Sequence, residues 1–137
     1  MTFLTAEIQS LIHGGKNMEG ISMPNIPKTI ILDIDGCVFK HHGKGASYQW
    51  SSMSAIVLPG VKEQFNAWEK EGCCIILITA RKESCRAVLE YMLKVNNLFF
   101  DYLIMGVPHG ERIIINDKKS NGSNSCRAIN LERNAGL

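Results

Sequence analysis

The sequence contains no long apolar run. Its longest, Cys73 to Ile78, has the size of a β-strand and falls far below the roughly 20 residues that cross a bilayer as a helix. A membrane span is therefore excluded. An excess of one charge is missing as well, because 15 Lys and Arg stand against 13 Asp and Glu, a formal net charge of +2. Duplex-binding domains carry a strong basic footprint, so nucleic acid is not an expected partner. The five cysteines, Cys37, Cys73, Cys74, Cys85 and Cys126, include no C-x-x-C pair and no repeated spacing. That leaves neither a zinc motif nor a disulfide framework. Cys73 and Cys74 would face opposite sides of a strand, which argues against a shared metal. The amino terminus has no basic start, apolar stretch and small-residue cleavage site of the kind a secretory signal needs, and the expectation is a cytoplasmic protein.

What is present is an ordinary globular composition, 45% hydrophobic and 20% charged, which supports a real core and differs from that of disordered chains. A length of 137 residues fits one domain. Residues 1–28 read as an amino-terminal helix and arm: Leu4, Ile8, Leu11 and Ile12 fall at helical spacing around Thr5 to Ile12, and a Gly- and Pro-containing stretch follows. Residues 29–137 read as the catalytic domain, with a short flap at about 37–58. Thr29 to Leu32 and Cys73 to Ile78 are β-branched apolar runs of the kind found in buried parallel strands. Tyr102 to Met105 and Arg112 to Ile115 predict a third and a fourth strand, and Arg127 to Leu131 a fifth. Helices are predicted over Pro59 to Glu71, with Val61, Phe65 and Trp68 on one face and Gly72 as the stop, and over Lys82 to Val95, ended by Asn96-Asn97. Strands alternating with helices imply an α/β fold, a Rossmann-like three-layer sandwich with a central parallel sheet.

In such sheets chemistry collects at the carboxyl ends of the strands. Asp33 and Asp35 follow the first run, Thr79 the second, and Asn116 and Asp117 the fourth. Clustered carboxylates raise one another's pKa unless a cation compensates, and Mg²⁺ is the hard, abundant ion that accepts a few carboxylates plus water. Asp33 and Asp35 would share a direction if strand geometry persisted through Ile34. One could then attack a phosphorus while the other exchanges a proton. Thr79, followed by Ala80, Arg81 and Lys82 at a strand-to-helix junction, offers a hydroxyl and backbone N–H groups to a phosphate, although an ordinary helix cap has the same appearance.

Taken in order, Ile31-Leu32-Asp33-Ile34-Asp35-Gly36, Ile76-Leu77-Ile78-Thr79-Ala80-Arg81 and Ile114-Ile115-Asn116-Asp117 resemble the motifs of the haloacid-dehalogenase-like phosphatases over about Thr29 to Lys119. The resemblance implies that Asp33 forms an aspartyl-phosphate and that Asp35 acts as general acid and then base. It also implies that Thr79 binds the phosphoryl group, and that Mg²⁺ is held by Asp33, the Asp35 carbonyl and Asp117, with Asn116 beside it. The short insertion after Gly36 implies a minimal-cap member. Two positions depart from the pattern. Val107 occupies the place in Gly106-Val107-Pro108 where small members carry a lysine, and Asn116 replaces an acid. Lys82, Arg112, Lys118 and Lys119 are the candidate replacement cations, and His41 and His42 are candidate substrate contacts.

The expected function is a Mg²⁺-dependent phosphomonoester hydrolase acting on a small phosphorylated metabolite, with a sugar phosphate as the first case. That substrate rests on a resemblance of the closing string Asn130 to Leu137 to short bacterial hydrolases of sugar-phosphate or surface-polysaccharide metabolism. A catalytically weak phosphate-binding or regulatory module is the alternative that Val107 favours. An end phosphatase of nucleotides or nucleic acids is the second. A homo-oligomer is compatible with the arm.

Overall fold

The structure, a computed structural model, describes residues 26–43 and 54–137. The helix expected over Thr5 to Ile12, and Tyr48 and Trp50 of the flap, lie outside the described residues. Strand β1 (Thr29–Asp33) pairs in parallel with β2 (Cys74–Ile78), and β2 pairs in parallel with β3 (Tyr102–Ile104). Between them run helix α1 (Val61–Lys70), a 3-10 turn (Glu83–Cys85) and helix α2 (Arg86–Val95). The chain is thus α/β with a Rossmann-like parallel sheet in the order β1-β2-β3.

Successive side chains of a strand alternate between faces, so register decides what packs together. Leu32, Leu77 and Leu103 lie side by side across the three strands, and all three are buried. Two crossovers that both step from β1 towards β3 place their helices on the same face. Val61, Phe65 and Trp68 of α1 and Leu89, Met92 and Leu93 of α2 accordingly join those leucines in one core. On the other face Ile31, Tyr102 and Ile104 are exposed. The described residues therefore form the sheet and one helical layer, and the second outer layer of a three-layer sandwich is not found among them. No described helix is long and apolar enough to cross a membrane.

Both helices end as their sequences indicate. Gly72, at φ 72°, follows α1, where its N–H reaches Glu69 O and the Cys73 N–H reaches Trp68 O. This is the paired closure that a left-handed residue after a helix permits. Asn97, at φ 56°, does the same after α2, with Leu98 N–H on Leu93 O. The second helix starts later than its pattern suggests, because residues Glu83–Cys85 tighten into a 3-10 turn first. The root of the flap is an antiparallel pairing: Phe39 bridges Val57, Lys40 N–H donates to Ile56 O, and Leu58 N–H donates to Val38 O.

The fourth and fifth strands expected at Arg112 to Ile115 and Arg127 to Leu131 are not formed. A strand needs a partner along its length. Arg112 instead reaches Asp33 at the end of β1, with Nη1 at 3.8 Å from Oδ2, and residues 113–124 run on exposed. The chain returns at Asn134, whose N–H donates to Gly36 O. Leu137 completes the core beside α1, and its N–H donates to Pro59 O.

Candidate active site

The sheet ends where the chemistry-bearing residues begin. Register places Asp33 opposite Ile78, so Thr79 and Asp35 continue adjacent strands beyond the sheet. After Asp33 the chain turns sharply, because the N–H groups of Cys37, Val38 and Phe39 all converge on Ile34 O. Gly36 takes φ 95° in that turn, a conformation that costs a side-chain-bearing residue energy.

Asp33 is half-buried, and its Oδ1 accepts the Ile34 N–H at 2.9 Å. Burial pushes its carboxyl above the ordinary range. The Arg112 guanidinium, the Ile34 N–H and His109 pull it back down, while Asp35 adds to the rise. The cation facing Asp33 is therefore Arg112. Lys82, Lys118 and Lys119 are exposed and are not among the charges that act on Asp33. Neighbouring Cys37 is held as a thiol, since burial and the Asp33 charge push it up to about 11. It is no nucleophile at neutral pH.

Asp35 is engaged by Arg81. The guanidinium donates from Nε to Oδ2 at 3.0 Å and from Nη2 to Oδ1 at 2.7 Å, a two-pronged contact that fixes both planes. Arg81 is almost fully buried, with 3% of its side chain exposed against 14% for Asp35. In the sequence Arg81 is a phosphate-binding candidate through its backbone, and no local signal there points to this side-chain partner 46 positions away. Thr79 is buried, and its Oγ1 accepts the Arg81 N–H at 3.1 Å. The Gly106-Val107 segment is stitched to the same loop by Val107 N–H on Thr79 O and Gly106 N–H on Arg81 O. Val107 thus lies beside the Thr79 loop, where the absent lysine would be expected. Ala80 is half-buried between Thr79 and Arg81.

His41 is held by its backbone. Its N–H donates to Asn134 Oδ1 at 2.7 Å, and its carbonyl accepts from Asn134 Nδ2 at 2.9 Å. The imidazole Nδ1 accepts the Gly43 N–H at 2.9 Å. His42 is exposed. Arg133 lies along Gly36, its Cγ 3.2 Å from where a Cβ would stand. The closing string is singled out in the sequence by its resemblance, but its contact with the site is not legible there, because Asn134 and His41 are 93 residues apart.

Asn116 and Asp117 stand away from this group. Both are exposed, Asn116 Oδ1 accepts the Asp117 N–H, and Asp117 is not among the charges that act on Asp33. Among the described residues no three His, Cys, Asp or Glu side chains converge as a metal would require. Within one chain the ligand set expected for Mg²⁺ is therefore incomplete. Asp33 is in place and Asp117 is away from it, while Asp35, which enters that set through its carbonyl, has its carboxylate engaged by Arg81.

No protein-family model matches the chain, and no curated protein matches it. Among solved structures, two of Pnkp1/Rnl/Hen1 assemblies are similar in fold. One, titled a Pnkp1/Rnl/Hen1 complex, aligns at 19% identity over 72% of this chain and 34% of that one, with a TM-score of 0.53. The other, titled the Pnkp1/Rnl/Hen1 RNA repair complex, aligns at 20% identity over 71% and 32%, also at 0.53. The chain spans about a third of the length of each. A Vibrio cholerae structural-genomics target aligns at 17% identity over 64% of this chain and 79% of that one, with a TM-score of 0.46.

Proposed function

We propose that the chain is a phosphohydrolase of the haloacid-dehalogenase-like type, using Asp33 as nucleophile and Asp35 as acid and base. The observation that carries this reading is the end of β1: a half-exposed carboxylate at Asp33 faced by Arg112, and a second carboxylate at Asp35 clamped by a buried arginine. A buried Arg81 beside an ordinary turn aspartate would have little reason to be there, since burying an ion pair carries a desolvation cost. Holding Asp35 in one orientation supplies that reason.

An Asp33 oxygen attacks the phosphorus of a monoester, and the P–O bond to the leaving group breaks with its electron pair on the leaving oxygen. Asp35 delivers the proton that oxygen needs. Water then attacks the phosphorus of the aspartyl-phosphate and gives its proton to Asp35. The acyl P–O bond breaks, restoring the Asp33 carboxylate and releasing phosphate. Arg112, which already faces Asp33, is the group placed to meet the charge that builds on the phosphoryl oxygens, which is where phosphoryl transfer is most responsive to fixed charge.

The substrate class is a small phosphorylated metabolite, a sugar phosphate first. A second reading, an end phosphatase of nucleotides or nucleic acids, is favoured by the likeness in fold to a chain of the Pnkp1/Rnl/Hen1 RNA repair complex. Phosphate release from sugar phosphates, nucleotides and 5′- and 3′-phosphorylated oligonucleotides separates the two. Turnover confined to the sugar phosphates supports the first reading, turnover confined to the oligonucleotides supports the second, and release from none overturns both.

A further inference from the structure

Among the described residues β1 is hydrogen-bonded on one edge only, to β2. Ile31, in its middle, is 46% exposed. The same chain carries an unpaired run of matching type and length: Ile113, Ile114 and Ile115 are 74%, 51% and 92% exposed. No backbone hydrogen bond joins them to another described residue. This run is the outgoing stem of an arm whose tip is well made. Lys119 N–H donates to Ser123 O, Gly122 N–H donates to Lys119 O, Ser123 donates to Asn121 Oδ1, and Ser125 Oγ donates to Asp117 O. An exposed extended run without a partner strand is marginal in water, and a free strand edge seeks a partner.

The arm does not lie on its own β1. Were Asp117 level with Asp33 in a parallel pairing, Arg112 would sit about 16 Å back along the strand, farther than an arginine side chain spans. Arg112 instead touches Asp33. The run therefore starts at the carboxyl end of β1 and leads away from it, and residues 111–119 extend at most about 30 Å.

We infer that two copies of this chain exchange arms, Ile113–Ile115 of each adding a parallel strand to the open β1 edge of the other. This is strand addition in the form of a reciprocal swap, whose two identical contacts close on themselves. It also accounts for the incomplete site. Parallel pairing sets Asp117 of the second copy beside Asp33, giving the two neighbouring carboxylates that a hard divalent cation uses. Only this last consequence rests on the phosphohydrolase reading; the exchange does not.

The test is solution mass by light scattering on the full chain, for the wild type, Ile115→Lys and Ile114→Pro. A lysine on a strand edge and a proline in a ladder both block pairing, and neither position contributes to the core of one chain. The expected result is a dimer, or an even-numbered assembly, that falls to monomer in both variants with an unchanged far-UV circular dichroism spectrum. A monomeric wild type, or a dimer that persists in both variants, overturns the exchange. Mixing Asp33→Asn with Asp117→Asn chains after co-refolding adds a second readout. Each is inactive alone, and random pairing of swapped dimers restores about a quarter of wild-type activity, whereas sites built within one chain stay dead in every mixture. If wild-type chains release no phosphate while the masses behave as expected, the functional reading fails and the exchange stands.

Discussion

Arg81 and Asp35 face each other through two hydrogen bonds, at 3.0 and 2.7 Å, across the ends of β1 and β2. The arginine side chain is almost wholly out of water, so the pair acts as a fixed brace for the proposed acid and base. Breaking a buried pair by removing one partner strands the other charge and costs about 3–5 kcal/mol. Arg81→Ala is expected to lose stability on that scale in urea unfolding. Arg81→Lys keeps the charge but not the fork. It is expected to fold and to lose about 10²-fold in kcat, within the range that general acid–base catalysis contributes.

Asp33→Asn separates activity from stability. Burial raises the Asp33 carboxyl above its ordinary range, so the folded state holds that proton to higher pH than the unfolded chain does. Ionisation therefore costs stability: the cost is absent below the unfolded-state pKa and complete above the folded-state one. The variant is expected to melt higher than wild type at neutral pH, with the difference shrinking as pH falls into the acidic range. Phosphate release falls to background. Thermal scans from acidic to neutral pH check the first part.

Removing Arg112 takes away the strongest influence that lowers the Asp33 pKa. Arg112→Ala therefore shifts the acidic limb of the pH–rate profile to higher pH, because Asp33 must be ionised to attack. Rate on the plateau falls by at least about tenfold, less than the loss of a buried donor, since the contact is half-exposed. A pH–rate comparison of the two proteins reads both effects.

The closing segment is a clasp on the site. A Cβ at Gly136, φ 91°, would collide with the Pro59 carbonyl, and one at Gly60, φ 76°, with the Leu137 carbonyl. Gly136→Ala is expected to cost about 1–3 kcal/mol in urea unfolding. It is also expected to slow turnover, because Asn134, two residues earlier, holds Gly36 and His41.

The three strands that formed were legible because Thr29 to Leu32, Cys73 to Ile78 and Tyr102 to Met105 are apolar runs that end at turn signals. The run at Arg112 to Ile115 has the same local character, and there the local signal fails because a strand is defined by a neighbour, which a single chain's pattern does not specify. Helix ends were readable from Gly72 and Asn97, whose left-handed backbone is a local property. The candidate carboxylates Asp33 and Asp35 both lie at the sheet's end and their charges act on one another, but the chain turns sharply after Asp33 rather than continuing as a strand through Ile34. What the sequence could not disclose is long-range pairing. Nothing near Arg81 signals Asp35, nothing near Asn134 signals His41, and the choice of Arg112 over Lys82 depends on the path of the chain after Pro108.

The most direct test of the central claim is to trap the covalent intermediate. Enzyme turning over an aryl phosphate is treated with borohydride, which reduces an acyl phosphate, and the digested peptides are weighed. The reduced side chain is expected at position 33, only in the presence of substrate, and Asp33→Asn is expected to abolish it together with phosphate release. Continued phosphate release with an unmodified Asp33, or with the reduced residue elsewhere, would rule out Asp33 as the nucleophile.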